Sequence, residues 1–162
     1  MINGDSLVND GIDDSCRNNG HPTYTYNQGV ILSGLANLYR ATGDSQYLDA
    51  ATPIANAAIT KLVNGDGILQ DQCDIDHACS GDGEQFKGVF NRGLQDLYAQ
   101  RQNGDWKNFL VKNAQSIWLH DTQVQNGACL NGPYWAGPYS VADASTQSVA
   151  LDALTAALAV TK

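Results

Sequence analysis

Glutamate is all but missing from this sequence. Of seventeen acidic residues only Glu84 is a glutamate, and the rest are aspartates. Aspartate favours caps, turns and loops, so most of the negative charge is expected between helices rather than along them. Basic residues are also scarce, at nine, which leaves a net charge of −8. A surface of that sign repels polyanions, so nucleic acid is excluded as a partner. No apolar run approaches the ~20 residues that cross a bilayer. The opening Met1-Ile2-Asn3-Gly4-Asp5 has neither a basic start nor an apolar stretch. It does not read as a signal peptide, and any targeting segment is expected outside these residues. Cys-x-x-Cys pairs, histidines at zinc-ligand spacing, a Gly-x-Ser-x-Gly elbow and a phosphate-binding loop are all missing. Asp71, Asp74, Asp76 and Asp82 cluster in sequence but lack the central glycine and closing glutamate of a calcium loop. His21, His77 and His120 are scattered in loop sequence and receive no role. No metal and no cofactor is expected.

What is present reads as a globular domain: 162 residues, 43% hydrophobic, enough to bury a core. Four cysteines, Cys16, Cys73, Cys79 and Cys129, stand in loop-like sequence. They suggest an oxidising compartment and two disulfides, with three possible pairings. The pairing expected is Cys73 with Cys79, closing a short loop, and Cys16 with Cys129, tying the ends of the chain together.

Residues 1–25 read as loop. Apolar stripes at helical spacing then mark five helices. The first starts at Tyr26 (Val30, Ile31, Leu35, Leu38) and ends at Gly43. The second is capped by Asp44 or Ser45 and striped by Leu48, Ala51, Ile54, Ala55, Ala58 and Leu62. The third runs from about Glu84 to Gln102, and the fourth is capped by Asp105. The fifth fills roughly 142–160, with Leu151, Leu154, Ala157 and Leu158 inward. Short β-branched stretches lack alternation and flank no hairpin turn, so no strand is expected. The fold class is all-α. Leu38-Tyr39, Gly43-Asp44 and Tyr47-Leu48 recur as Leu97-Tyr98, Gly104-Asp105 and Phe109-Leu110, about 60 residues on. In each copy the Gly-Asp turn supplies a C-terminal cap and then an N-terminal cap. Tight turns alternate with the long connections 64–83 and 120–140. This is the pattern of stacked helical hairpins, with loops that carry the site gathered at one end. Two and a half hairpins are present; a closed (α/α)6 toroid of six needs more than twice the length.

Three segments offer sugar-binding chemistry, since aromatic faces suit C–H surfaces and amides suit hydroxyls. They are Thr23-Tyr24-Thr25-Tyr26-Asn27-Gln28-Gly29, the loop Gly132-Pro133-Tyr134-Trp135-Ala136-Gly137-Pro138, and Thr146-Gln147-Ser148 at the start of the last helix. Lys87, near a helix N-terminus, stands against the local dipole preference. Asp13-Asp14 mimics the carboxyl pair of a glycosidase, but it lies in polar sequence beside Cys16 and Arg17, with no aromatic shell, and reads as a solvated turn.

Taken in order, Cys16-Arg17-Asn18-Asn19-Gly20, Thr25-Tyr26-Asn27-Gln28-Gly29-Val30-Ile31-Leu32 and Leu38-Tyr39-Arg40-Ala41-Thr42-Gly43-Asp44 resemble glycoside hydrolase family 76. So do Asp66-Gly67-Ile68-Leu69 leading to Cys73 and Cys79, Phe86-Lys87-Gly88-Val89-Phe90, and Trp135-Ala136-Gly137-Pro138 with Thr146-Gln147-Ser148-Val149-Ala150-Leu151-Asp152-Ala153-Leu154. The resemblance, closest to secreted fungal members, implies an (α/α)6 toroid and retaining endo-α-1,6-mannanase activity at the extracellular face or cell wall. It also implies that residues 1–162 form about half of the toroid, the C-terminal half, with the N-terminal half missing. The family's aromatic-flanked aspartate pair has no counterpart here, so no catalytic residue is assigned and the chain alone is expected to be inactive. The resemblance points to Tyr26, Asn27, Gln28, Lys87, Trp135 and Gln147 as contacts for a mannan-type polysaccharide. Exposed flanking helices imply self-association; a non-catalytic mannan-binding or scaffold module is the alternative.

Overall fold

The computed structural model describes all residues, 1–162. Six helices carry the fold: α1 (Thr25–Thr42), α2 (Gln46–Lys61), the single-turn α3 (Gln72–Ile75), α4 (Phe86–Gln100), α5 (Gly104–His120) and α6 (Ala144–Thr161). A 3-10 turn at Gly81–Gln85 leads into α4. Five long helices fall where the apolar periodicity places them.

The caps differ in part from expectation. Gly43 ends α1 in the left-handed conformation (φ 73°), its N–H donating to the Tyr39 carbonyl at 2.8 Å. The second Gly-Asp pair behaves otherwise. Asn103 caps α5, its side chain accepting from the N–H groups of Asp105 and Trp106, and Gly104 and Asp105 already lie inside the helix. The acceptor has to stand outside the first turn, and Asn103 holds the extended backbone that allows it (φ −145°, ψ 127°). Asp143 caps α6 with a reciprocal bond from Thr146.

The expectation of no strands is wrong. β1 (Thr122–Gln125) and β2 (Ala128–Asn131) form an antiparallel hairpin, Val124 opposite Cys129. Asn126 (φ 51°) and Gly127 (φ 79°) turn it. Two central residues with positive φ match the right-handed twist of a two-stranded ribbon, and Asn-Gly is the pair best suited to them.

α1, α4 and α6 lie side by side in one row. Gly29 of α1 faces Phe90 and Gly93 of α4, and Ser33 donates to Asp96 at 2.5 Å one turn later, so these two helices run parallel. The backbones meet directly: a Cβ on Gly93 would stand 2.1 Å from the Gly29 carbonyl oxygen. On the other flank of α4, Gly88 meets Val149 and Arg92 pairs with Asp152. α2 and α5 form the second layer. The core between layers holds Leu32, Ile54, Phe90, Leu94, Leu97, Trp106, Leu110 and Ile117, with the Trp106 indole N–H donating to Asn56 Oδ1 at 2.8 Å.

The inward face of α6 is only in part the expected one. Val149, Ala150, Ala153, Ala156 and Ala157 are buried, whereas Leu151 and Leu158 are exposed. Small residues let α6 lie close against α4; Leu154 is half-buried, and Leu151 and Leu158 are left outside. Val30 and Leu38 of α1 are likewise exposed, the buried face being Gln28, Gly29, Leu32 and Ala36.

Cys73 and Cys79 are bonded as expected. The expected Cys16–Cys129 bond is not formed: both are exposed free thiols. Each is held by a turn of its own. The Cys16 N–H donates to the Asp13 carbonyl, and Cys129 sits in the hairpin ladder.

Candidate functional site

The long connections 1–24, 62–85 and 121–143 feed the N-termini of α1, α4 and α6, and they meet at one end of the row. Thr25 bonds Asp71, Lys87 bonds Asp74 and Pro133, and Gln147 bonds Asn131.

At the surface of this end the first residues of α1 and α4 build an aromatic hollow. Tyr26 lies 4.5 Å from Phe86 between ring centroids, Tyr24 lies 5.2 Å from Phe86, and Tyr24 and Tyr26 stack at 6.0 Å. The hollow, of about 380 Å³, is lined by Tyr26, Val30, Gln85 and Phe86 among others. Asp10, from the N-terminal segment, accepts from the Tyr26 hydroxyl and from Asn27 Nδ2 (3.3 Å). The Tyr26 bond holds the Asp10 carboxyl below its ordinary value, and the same carboxylate raises the Tyr26 hydroxyl. A fixed carboxylate, an amide and three rings offer both polar and stacking contacts to a polyol. Of the expected contacts, Tyr26 and Asn27 stand here, half-buried and side by side.

The other four are turned to internal duties. Gln28 is fully buried. Its carbonyl oxygen accepts from the Val8 N–H (2.8 Å), and its NH₂ donates to the carbonyls of Val8 (2.9 Å) and Tyr24 (3.0 Å). The amide is saturated and straps residues 7–9 to α1. Gln147 exchanges two bonds with Asn131, accepting from its N–H at 3.0 Å and donating to its Oδ1 at 2.9 Å, which ties the hairpin to α6. Lys87 is 1% exposed. Its ammonium group donates to Asp74 Oδ1 and, at 2.7 Å, to the Pro133 carbonyl, and lies 5.1 Å from the centroid of the Trp135 ring. Trp135 is also 1% exposed. Neither residue belongs to the lining of the Tyr26–Phe86 hollow. The unfavourable place of Lys87 in the first turn of α4 is explained by the counter-ion that the disulfide loop carries to it.

Around this lysine lies an acidic set that the sequence did not single out as a unit. Asp74 Oδ2 accepts from the Asp71 N–H (2.8 Å), and Asp71 accepts from the Thr25 N–H (2.8 Å) and hydroxyl (2.6 Å). Burial raises the Asp71 carboxyl against these bonds. Asp121, at the end of α5, is fully buried, with no hydrogen-bond partner for either carboxylate oxygen. The neighbouring Gly132 N–H donates to the Asp121 main-chain carbonyl (3.1 Å). Burial pushes Asp121 up to about 7, with the Lys87 charge opposing the rise. Glu84 is raised too, first by burial and then by the carboxylate of Asp143 beside it. This pair unites the starts of α4 and α6, and no sequence motif announces it. Asp13 behaves as the sequence suggests: its Oδ1 accepts from the N–H groups of Ser15 and Arg17, both at 2.9 Å, in an exposed turn.

Comparison with known proteins places the chain. The family model for glycosyl hydrolase family 76 matches residues 1–162. The mannan endo-1,6-alpha-mannosidase DFG5 of Saccharomyces cerevisiae is 32% identical over 97 residues, 58% of this chain and 21% of that protein. The Lin0763 protein from Listeria innocua superposes with a TM-score of 0.81 at 28% identity, over 98% of this chain and 44% of that one. An inactive variant of an alpha-1,6-mannanase from Salegentibacter sp. HEL1_6, with two consecutive aspartates replaced by alanine and alpha-1,6-mannotetrose bound, superposes with a TM-score of 0.73 at 26% identity. That match covers 86% of this chain and 40% of the other. The chain thus spans less than half the length of these relatives. With the model matched from first residue to last, the chain belongs to glycosyl hydrolase family 76.

Proposed function

We propose that residues 1–162 are part of a glycoside hydrolase that cleaves α-1,6-mannan with retention, and that they supply one wall of its glycan groove. The observation that carries the reading is the hollow lined by Tyr26 and Phe86, with Tyr24, Asp10 and Asn27 in contact with those rings beside it, at the loop end of a family 76 fold. The row α1, α4, α6 backed by α2 and α5 is the arc of an (α/α)6 ring, about half of it by length. The remaining helices, and the pair of catalytic aspartates, lie outside residues 1–162. The Cys73–Cys79 bond supports an oxidising location, at the cell wall or outside the cell. No helix is long and apolar enough to cross a membrane.

A second reading, a mannan-binding or scaffold module without catalysis, draws on the commitments of the acids present. Asp13 serves its turn, Asp74 serves Lys87, and Asp71 serves Thr25. The two part in the longer protein, which releases oligosaccharides from linear α-1,6-mannan, read by mass spectrometry, only under the first reading; the same incubation with residues 1–162 tests whether they catalyse alone. This chain is expected to bind α-1,6-mannotetraose weakly at the Tyr26–Phe86 hollow, to lose the binding there on Tyr26→Ala, and to release no oligosaccharide. Binding at that hollow unaffected by Tyr26→Ala would remove the wall from the proposal. Product release would place an acid and a nucleophile within these residues, the Glu84–Asp143 pair being the first to replace.

A further inference from the structure

Behind the aromatic surface, the connections into α4 and α6 enclose a second hollow of about 490 Å³, within the size range of small-ligand sites. None of its lining residues belongs to the Tyr26–Phe86 hollow. We propose that it is a second saccharide site, taking a neutral hexosyl unit of a mannan chain away from the groove where the chain is cut. Its location is independent of the function proposed above; only the choice of mannan as ligand rests on that reading.

Three observations carry the inference. An aromatic pair stands at the hollow: the rings of His77 and Tyr134 meet edge to face, centroids 5.0 Å apart at 67°. Both are at least partly exposed, and each joins an apolar ring to a polar tip, the combination that sugars use. His77 is held in place. It has positive φ (50°) inside the loop closed by Cys73 and Cys79, its N–H donating to the Asp74 carbonyl at 3.3 Å. A non-glycine residue keeps that conformation only where its surroundings fix it.

The polar groups of the lining are left without partners in the chain. The Asn64 carbonyl oxygen serves its own turn, accepting from the N–H groups of Asp66 and Ile68, and its NH₂ donates to nothing. Gln70 uses only its main chain, the N–H donating to Leu62, and its side-chain amide is free. The indole N–H of Trp135, whose ring lines the hollow, is buried without an acceptor.

The lining is also electrically quiet. Asp74 is its one acid and is neutralised by Lys87. Free amides and ring tips in a neutral hollow suit an uncharged polyol and disfavour an anion or a cation.

The test is an amide-resolved NMR titration of the ¹⁵N-labelled chain with α-1,6-mannotetraose, in wild type and in Tyr134→Ala, Gln70→Ala and Tyr26→Ala. Gln70→Ala guards against a folding artefact, because that side chain has no partner to lose. The expected result is saturable shifts at 64–77 and 134–137, weakened at least tenfold by Tyr134→Ala and by Gln70→Ala and left unchanged by Tyr26→Ala. Shifts confined to the surroundings of Tyr26 and Phe86, insensitive to Tyr134→Ala and Gln70→Ala, would overturn the second site and leave the proposed wall standing. Shifts at the second hollow with none near Tyr26 would do the reverse. An unshifted spectrum throughout would overturn both.

Discussion

Lys87 and Asp121 decide how the interior tolerates charge. Removing one member of a buried ion pair strands the other, typically at about 3–5 kcal/mol. Lys87→Met should therefore lower unfolding stability by that order in urea denaturation, and Asp74→Asn added to it should restore part of the loss. A variant as stable as wild type would refute a central role for the pair. Asp121 gives a pH dependence. Its folded-state value of about 7 stands above the ordinary carboxyl value of about 3.9. Between these limits the folded chain holds more protons than the unfolded one, so stability falls as pH rises from about 4 to about 7. At about 1.4 kcal/mol per pKa unit the loss is bounded at about 4 kcal/mol. Asp121→Asn should flatten the melting temperature across that range, and a profile as steep as wild type would count against Asp121 as its cause. The sequence flagged Lys87 through its quarrel with the helix dipole but could not tell whether the ammonium faces solvent or a counter-ion. That depends on Asp74, thirteen residues away across a loop. Asp121 carried no signal, because its peculiarity is burial alone.

At the scale of elements, glycines set how closely the row packs. A Cβ on Gly93 would collide with the Gly29 carbonyl, whereas one on Gly34 in α1 would meet nothing within 4 Å. The same Gly→Ala change should therefore have opposite signs. Gly34→Ala should stabilise by up to about 1 kcal/mol through helix propensity. Gly93→Ala should destabilise by about 1–3 kcal/mol or more as α1 and α4 are forced apart. Chemical denaturation of both reads the contrast, and equal effects would deny the close approach. Helix existence was legible because periodicity and turn residues agree over long stretches. The face of α6 was not: with alanine, valine and leucine all round it, apolar spacing alone does not choose between Ala153 and Leu151. Packing distance chooses, and it takes the smaller side chain. The hairpin was legible in principle at Asn126-Gly127, but its strands are short and mostly exposed and so show no alternation.

For the whole molecule, the alternation of tight turns with long connections was readable in the chain, and it places the three long loops at one end. What length and pattern do not reveal is how each loop is fastened. Two amides expected to face sugar, Gln28 and Gln147, are fastenings. The flank formed by α5 and α6 ends in a shallow apolar hollow of about 600 Å³ lined by Trp118, Leu119, Leu154 and Leu158. Trp118 is 55% exposed there and Leu119 70%. An apolar patch of this kind calls for cover. In sedimentation velocity the chain is expected to self-associate as concentration rises, and a double change of Trp118→Gln and Leu158→Gln should shift it toward monomer. A sharp monomer boundary at every concentration would show that the flank needs no partner.

The six-residue span between Cys73 and Cys79 also carries the counter-ion of the most deeply buried cation. The covalent clasp and the electrical neutrality of the interior are thus one device. A reductant would first loosen the grip on Asp74, leaving an ammonium group facing a carbonyl and an indole ring inside an otherwise compact body. Damage to this protein would then start as a local fault in charge at the mouth of α4 and only later become a loss of shape.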